Sequence, residues 1–461
     1  MQVVERIWRG SGGDDDEAES HERTSRGAKH GRVQQQTELG VERDRQLERV
    51  ERLMIPYLAM RDDVVVTGTG CISSLGIGAE QFVDNLLAGR SAIEPVSAFS
   101  TKGCRSHTAA LVRGFDPARF IDPMKLRRID ETGRLALATC RLALEHARVQ
   151  AGADGVGVAL GTATCGLHSA VAHVHRLMTA GPGAVSALGF SNTIGNAAAS
   201  LCSIEFGLRG PNVTFAQKQA SALAAVAFAV DGLRQRRASA FVCGGVDDIE
   251  EQFFRTHDRL GVLSPTDGRE EASRPFDARR NGFVLGTGGH LLVVETSASA
   301  TARGVAPLGE ILGVGGGASE CQLHAWPMEP TGIVRVMRAA LDDAGIVPAD
   351  VSVVFGAANS TPALDRVEAL ALEEVFGARG VPVVSIKGAI GEFGAVGAAS
   401  LTAALACLRR STLPPTVGFD QPDSECRVDV AGCTRPIEGQ VALINATADG
   451  GAQFSLVVRG C

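Results

Sequence analysis

Short β-branched apolar runs that alternate with helix-length segments constrain this chain more than any other feature. One such run opens DVVVTGTG, where glycines behind Val64, Val65 and Val66 call for a tight turn. Others fall at residues 156–160, 241–245, 290–295 and 351–355. Segments of helical period lie between them, at residues 134–149, 167–178, 222–233, 330–344, 366–376 and 400–409. The closing run GQVALINATADGGAQFSLVVRG reads as two strands around a glycine turn. Strands this continuously apolar have no face for water, so helices must cover the sheet on both sides. An α/β fold follows. A strand leading into a loop occurs in each half, at Val64 and at Val351, which hints at an internal duplication.

The 461 residues exceed one average domain, yet two similar halves sharing a core would accommodate them. A small-residue polar stretch around residues 296–304 divides the chain into residues 60–300 and 301–461. Residues 1–59 stand apart, rich in Gly, Asp, Glu, Arg and Gln, and cannot bury enough apolar area to offset the entropy of ordering. They are expected to be a disordered extension, and a true start at Met60 would explain them.

A formal charge of -7 excludes a nucleic-acid surface, which needs concentrated Lys and Arg. The clusters Lys125, Arg127, Arg128 and Arg234, Arg236, Arg237 read as solvated helix ends, with a docking patch for an acidic carrier protein as the alternative. Eleven cysteines without a CxxC pair fit reduced thiols. No apolar run reaches the roughly 20 residues that span a bilayer. A cytoplasmic protein with no membrane contact is expected, and no cofactor or metal.

Several long motifs carry a family resemblance. The opening VVVTGTGCISSLGIGAEQFVDNLLAGRSAI, the central SPTDGREEASRPFDARRNGFVLGTGG and the C-terminal LINATADGGAQFSLVVR stand in order and at fitting separations. Together they resemble a ketosynthase of the thiolase superfamily, from about Val64 to Arg459. The resemblance implies a five-layered αβαβα fold built from two similar halves, and a dimer whose tunnels reach the subunit interface.

Decarboxylating condensation needs a thiolate at a helix N-terminus to accept the acyl chain. It also needs neutral donors to hold the thioester oxygen as an enolate develops. The family supplies a cysteine and two histidines. Here the resemblance puts Gln219 at the cysteine position in GPNVTFAQKQASALAAV, Ala357 at the first histidine in FGAANSTPALDRVE, and Glu392 at the second, after a retained Lys387 in SIKGAIGEFGAVGAA. Thr447 and Asp449 stand where an aromatic gating loop is usual. The segments FGAANSTPALDRVEALALEEVFG and VPVVSIKGAIGEFGAVGAA resemble the chain length factors of type II polyketide synthases, while QASALAA departs from their glycine-rich version.

Each residue also has a plainer reading. Gln219 can be a packed polar plug satisfied by backbone groups at a helix start, or a donor to a malonyl thioester. Lys387 fits a structural pair with Asp365 or Glu368 better than catalysis. Cys165, flanked by glycine without a base nearby, reads as packing before it reads as a replacement nucleophile. His168, His173 and His175 point to different helix faces, which argues against a metal. Leu167, Ala170, Val171 and Val174 lie on one apolar face that the resemblance places beside the partner and the growing-chain tunnel.

The expectation is a non-catalytic subunit that pairs with an active ketosynthase, meets an acyl carrier protein with its tethered chain, and helps set polyketide or polyene length. The alternatives are malonyl-carrier-protein decarboxylation through Gln219, or acyl transfer through another cysteine.

Overall fold

All ten residues of the strand β1 (Val64–Ser73) are buried, as an apolar run without a polar face requires. The computed structural model describes residues 62–164 and 166–461. The expected polar extension, the start at Met60 and the thiol of Cys165 lie outside the described residues.

The first half continues through α1 (Ala79–Leu87), α2 (Glu131–His146), β2 (Val156–Gly161), α3 (Leu167–Ala180), α4 (Ala197–Phe206), β3 (Asn212–Phe215), α5 (Ser221–Arg234), β4 (Ala240–Asp247), α6 (Glu251–Leu260) and β5 (Gly288–Thr296). The second half holds β6 (Gly309–Ala318), α7 (Thr331–Ala344), β7 (Val353–Phe355), α8 (Pro362–Phe376), β8 (Pro382–Val384), α9 (Val396–Arg410), β9 (Asp429–Val430), β10 (Val441–Thr447) and β11 (Ala452–Gly460).

The two halves repeat one topology. Strand order is β1-β5-β4-β2-β3 in the first and β6-β11-β10-β7-β8 in the second, with β9 added beyond β8. In each, the first two pairings are antiparallel and the next two parallel. Three antiparallel pairs, Val64 with Ile311, Val65 with Glu310 and Val66 with Gly309, join them into one sheet. The duplication anticipated from Val64 and Val351 is therefore present in a different register. Val353–Phe355 corresponds to β2, and the counterpart of β1 is β6, which the sequence pattern concealed.

Glycine hides β6. Its sequence GEILGVGGGA lacks β-branched density because α7 lies directly on it. A Cβ at Gly315 would sit 2.0 Å from the Val336 carbonyl oxygen and 2.9 Å from the Ala340 nitrogen. The strand keeps its helix close by having no side chain there.

Alternating residues of each strand separate the layers. Val158, Leu160, Val242, Leu291 and Val293 pack with α2 and α4, whereas Ala159, Phe241, Cys243, Leu292 and Val294 turn to a central cluster with α5 and α9. In the second half Val354, Leu443 and Val457 meet α7 and α8, while Val353, Phe355, Ile444 and Leu456 join the same central cluster. The resulting order of helices, sheet, helices, sheet, helices is the five-layered arrangement expected. Helices α5 and α9 are buried over most of their length, and their alanines allow it.

Two surface readings change. Arg234 is largely buried, donating to Asp343 Oδ2 at 2.9 Å and to the Leu312 carbonyl, so it is not a solvated helix end. The stretch around residues 296–304 contains a short helix, Ser297–Ala302, capped by Thr296.

His290 on β5 is buried with neither ring nitrogen hydrogen-bonded, its ring 5.0 Å from that of Phe82 and 6.3 Å from Phe393. Burial pushes its pKa down to about 3. The unfolded chain then binds a proton that the folded chain refuses, so this stability is complete above the ordinary histidine pKa and is lost as pH falls from about 6.5 toward 3. His290→Leu should abolish a pH slope of ~1.4 kcal/mol per unit in that window. Urea unfolding of both proteins at pH 5 and pH 8 checks it, and a difference in stability independent of pH would refute the assignment.

Candidate functional site

The loops that follow the parallel strands converge on one cavity of about 450 Å³. Its wall draws on Ala163 and Thr164 after β2, Lys218 and Gln219 before α5, Asp247 at the end of β4, Phe253 and His257 on α6, and Glu392 to Gly394 before α9. Leu167 and Val171 of α3 close one side.

Gln219 sits in the tight turn Lys218–Ala220 that leads into α5. Its side chain faces the cavity, and Oε1 accepts the Asp449 backbone N–H at 3.3 Å. Its resolved partner is thus the turn between β10 and β11, and not a backbone group at the helix start. Asp449 enters the site as well. Its Oδ2 lies 2.6 Å from Lys218 Nζ and 3.5 Å from His324 Nδ1, and Lys218 adopts a left-handed φ of 50°. Thr447 is buried in the β10–β11 ladder opposite Gln453 and does not line the cavity.

Glu392 and Lys387 form a buried pair at 2.8 Å. Lysine Nζ also donates to the Ala357 carbonyl at 2.5 Å, and Asn359 Nδ2 donates to the same Glu392 Oε2 at 2.8 Å. One lysine therefore ties together the positions of both expected histidines. The partners anticipated for Lys387 are occupied elsewhere. Glu368 accepts the backbone N–H groups of Ala357 and Ala358 at 2.7 and 2.6 Å, and Asp365 accepts those of Phe276, Asn359 and Ser360. These α8 carboxylates fix the loop after β7, which leaves the lysine to the residue five positions ahead. Burial raises the Glu392 carboxyl above its ordinary pKa, with Lys387 opposing the rise. Burial also pushes Asp247 up to about 6 against the hydrogen bonds it accepts.

The four apolar residues proposed for the tunnel separate. Leu167 and Val171 face the cavity, while Ala170 and Val174, with Val171 again, line a shallow hollow beside Met178 and Gln252. No α3 residue is buried, and Val174 and Met178 are 55% and 79% exposed. His168 lies by a separate hollow, the His173 ring is tilted against that of Phe190 with centroids 5.7 Å apart, and His175 is exposed. Among the described residues no group of His, Cys, Asp or Glu is arranged to hold a metal, and no helix is long and apolar enough to cross a membrane.

Lys218, Asp247, His257 and Asn359 were not singled out by sequence. A signal existed for Asp247, the one charge ending the buried run AFVCGGVD. Lys218, His257 and Asn359 had none, because their role depends on which loops converge.

Removing the lysine should expose how the pair is balanced. Lys387→Met strands a buried carboxylate and should lower stability by ~3–5 kcal/mol, whereas adding Glu392→Gln should recover most of that. Urea unfolding at pH 7.5 compares the two. Equal losses would mean that the lysine acts through packing.

Comparison with known proteins agrees with this geometry. The N-terminal domain of beta-ketoacyl synthase matches residues 61–300 and its C-terminal domain residues 308–420. The chain is 31% identical over 406 residues to a 3-oxoacyl-[acyl-carrier-protein] synthase 2 of Coxiella burnetii, covering 86% of this chain and 98% of that one. It is 34% identical over 403 residues to the tetracenomycin polyketide synthase ketoacyl synthase beta subunit of Streptomyces glaucescens, with the same coverage. A solved ishigamide ketosynthase/chain length factor chain superposes with a TM-score of 0.81 at 28% identity, over 87% of this chain and all of that one. With both halves matched in order and the thiolase-like layers in place, the chain belongs to the beta-ketoacyl synthase family.

Proposed function

We propose that this chain is the non-catalytic subunit of a type II polyketide ketosynthase, a chain length factor that pairs with a cysteine-bearing ketosynthase. The observation that carries the reading is the carboxylate of Glu392 in the cavity wall. Decarboxylation of a malonyl thioester places negative charge on the thioester oxygen, which a donor stabilises. A buried carboxylate that accepts hydrogen bonds from Lys387 and Asn359 offers no donor to the thioester oxygen of an enolate. Gln219 adds to this, because a carboxamide forms no thioester and its oxygen is turned to Asp449.

The open apolar face of α3 supports a partner. Val174, Leu177 and Met178 are exposed in a row, with Phe190 and Ile194 exposed nearby in sequence, and a face of this kind on a soluble domain marks an association surface. Leu167 and Val171 lie behind it in the cavity wall, so one helix would serve the interface and limit the space for a growing chain carried by an acyl carrier protein. The ishigamide ketosynthase/chain length factor and the tetracenomycin beta subunit are relatives whose names match such a role. A cytoplasmic setting belongs to the same proposal.

A second reading, a condensing enzyme in its own right, is favoured by the Coxiella relative named as a synthase. Malonyl decarboxylation through Gln219 is disfavoured by the same Glu392 polarity. Acyl transfer through a cysteine other than the replaced one stays open at Cys165, which only labelling can test. Incubation of the purified chain with acyl and malonyl carrier protein separates these readings. The expected outcome is no acyl adduct by mass spectrometry and no carbon dioxide, with condensation only when a cysteine-bearing ketosynthase from the same biosynthetic set is added. An adduct on the isolated chain overturns the proposal.

In the assembled pair, Val171→Phe should shift partitioning toward shorter products by about fivefold to a hundredfold, from an overpacking cost of ~1–3 kcal/mol. Val174→Phe, facing outward, should leave length unchanged and alter subunit affinity instead. Product profiling and analytical ultracentrifugation distinguish the two, and identical effects from both substitutions would remove the assignment of Val171 to the wall.

A further inference from the structure

Helix α6 brings to the cavity an imidazole whose tautomer is set by its own backbone. His257 Nδ1 lies 2.9 Å from the carbonyl oxygen of Phe253, one turn earlier. A carbonyl can only accept, so Nδ1 holds the ring proton and the neutral ring keeps Nε2 as a bare acceptor. Burial holds the His257 pKa below its ordinary value, outweighing the Phe253 carbonyl and Asp449, so the ring is neutral near pH 7. Two aromatic rings fix its plane, Phe253 at 4.2 Å and Phe283 at 6.3 Å between centroids.

Nε2 has no hydrogen-bond partner among the described residues, and it is not one of the sealed, unpartnered atoms of this wall, which are Asp247 Oδ2, Glu392 Oε1 and Asp449 Oδ1. Elsewhere in the wall, Asp247 Oδ1, Glu392 Oε2, Asp449 Oδ2 and Gln219 Oε1 already accept from protein donors. Around the imidazole the surface is apolar, with Leu167, Val171, Phe283, Leu285 and Phe393. An apolar occupant pressed against Nε2 strips it of water and returns nothing, and a ketone sets lone pair against lone pair. A hydroxyl supplies the missing proton.

We propose that His257 is a specificity-determining residue of this cavity, its Nε2 accepting a hydrogen bond from a hydroxyl of the bound acyl chain. The subunit then favours hydroxyl-bearing chains over saturated or plain keto ones. The inference rests on the reading of the cavity as a space for the growing chain, and it adds which oxidation level of chain the space selects.

Calorimetric titration of the purified full chain with octanoyl, 3-oxooctanoyl and 3-hydroxyoctanoyl thioesters of N-acetylcysteamine tests it. The 3-hydroxy ligand should bind roughly twofold to tenfold more tightly than octanoyl, with 3-oxooctanoyl no tighter than octanoyl. His257→Phe keeps an aromatic ring in place and should erase the preference while leaving octanoyl affinity unchanged. A nitrogen-15 NMR titration reads the contact directly. The Nε2 resonance, assigned by its disappearance in His257→Phe, should move upfield with the 3-hydroxy ligand and stay in place with octanoyl, a signature that a purely structural histidine would not give.

Equal binding of the 3-hydroxy and octanoyl ligands, 3-oxooctanoyl binding as tightly as the 3-hydroxy ligand, a preference that survives His257→Phe, an unmoved Nε2 resonance, or no binding by any of the three would overturn the proposal. Thermal unfolding verifies the variant. Should His257→Phe fail to fold, the three affinities of the unaltered chain and a search for any histidine nitrogen resonance that moves only with the 3-hydroxy ligand still decide. These measurements need no ketosynthase, so a failure to pair leaves them intact, and loss of the hydroxyl preference leaves pairing intact.

Discussion

One backbone contact positions everything else in the site. The Ala222 N–H at the start of α5 donates to the Gly394 carbonyl just before α9, at 3.1 Å. A Cβ on residue 394 would stand 2.7 Å from Asp247 Oδ2, 2.8 Å from the Ala163 nitrogen and 3.0 Å from the Lys218 carbonyl oxygen. Four segments, from β2, β4, the α5 turn and the α9 loop, can therefore meet only around a residue without a side chain. The approach is possible because α5 and α9 are alanine-rich helices sandwiched between the two halves of the sheet, where larger residues would separate the layers.

The buried pair at Lys387 and Glu392 follows from the same enclosure. A lysine held in the core needs an opposite charge within reach, since desolvation disfavours a lone ammonium. The carbonyl of Ala357 provides a dipole and Glu392 a full charge, and Asn359 satisfies the carboxylate from the other side. Aiming Oε2 at the lysine and the amide leaves Oε1 as the remaining acceptor. An electrostatic solution that stabilises the lysine thus also fixes the carboxyl of Glu392 in the cavity wall.

Much of this was readable in the sequence. The strands at Val64, Phe241 and His290 and the helices over α2, α5 and α9 follow from periodicity, and the motifs resembling ketosynthases put Gln219, Ala357, Lys387 and Glu392 near one another. The partner of Lys387 was not readable, because Asp365, Glu368 and Glu392 are all within plausible chain distance. The choice is made by where α8 aims Asp365 and Glu368, at the backbone of residues 357–360. Strand β6 was hidden for the opposite reason, as its glycines satisfy helix contact and erase the β-branched signal. The division of α3 into inward Leu167 and Val171 and outward Val174 depends on how the helix is rotated about its axis, to which a single apolar stripe gives no clue.

A cavity built this way does not owe its shape to any one reactive side chain. Its walls are placed by strand ends, by backbone contact at Gly394 and by the carboxylates of α8, none of which is a nucleophile or an enolate donor. The carboxamide of Gln219 and the Glu392 carboxyl paired with Lys387 decide the polarity of the space without holding it open. The helix that closes the space, α3, has no buried residue, so its position is weakly specified by the chain's own core. A partner that covers its exposed apolar face would set the width of the cavity from outside, which couples association to capacity through a single element.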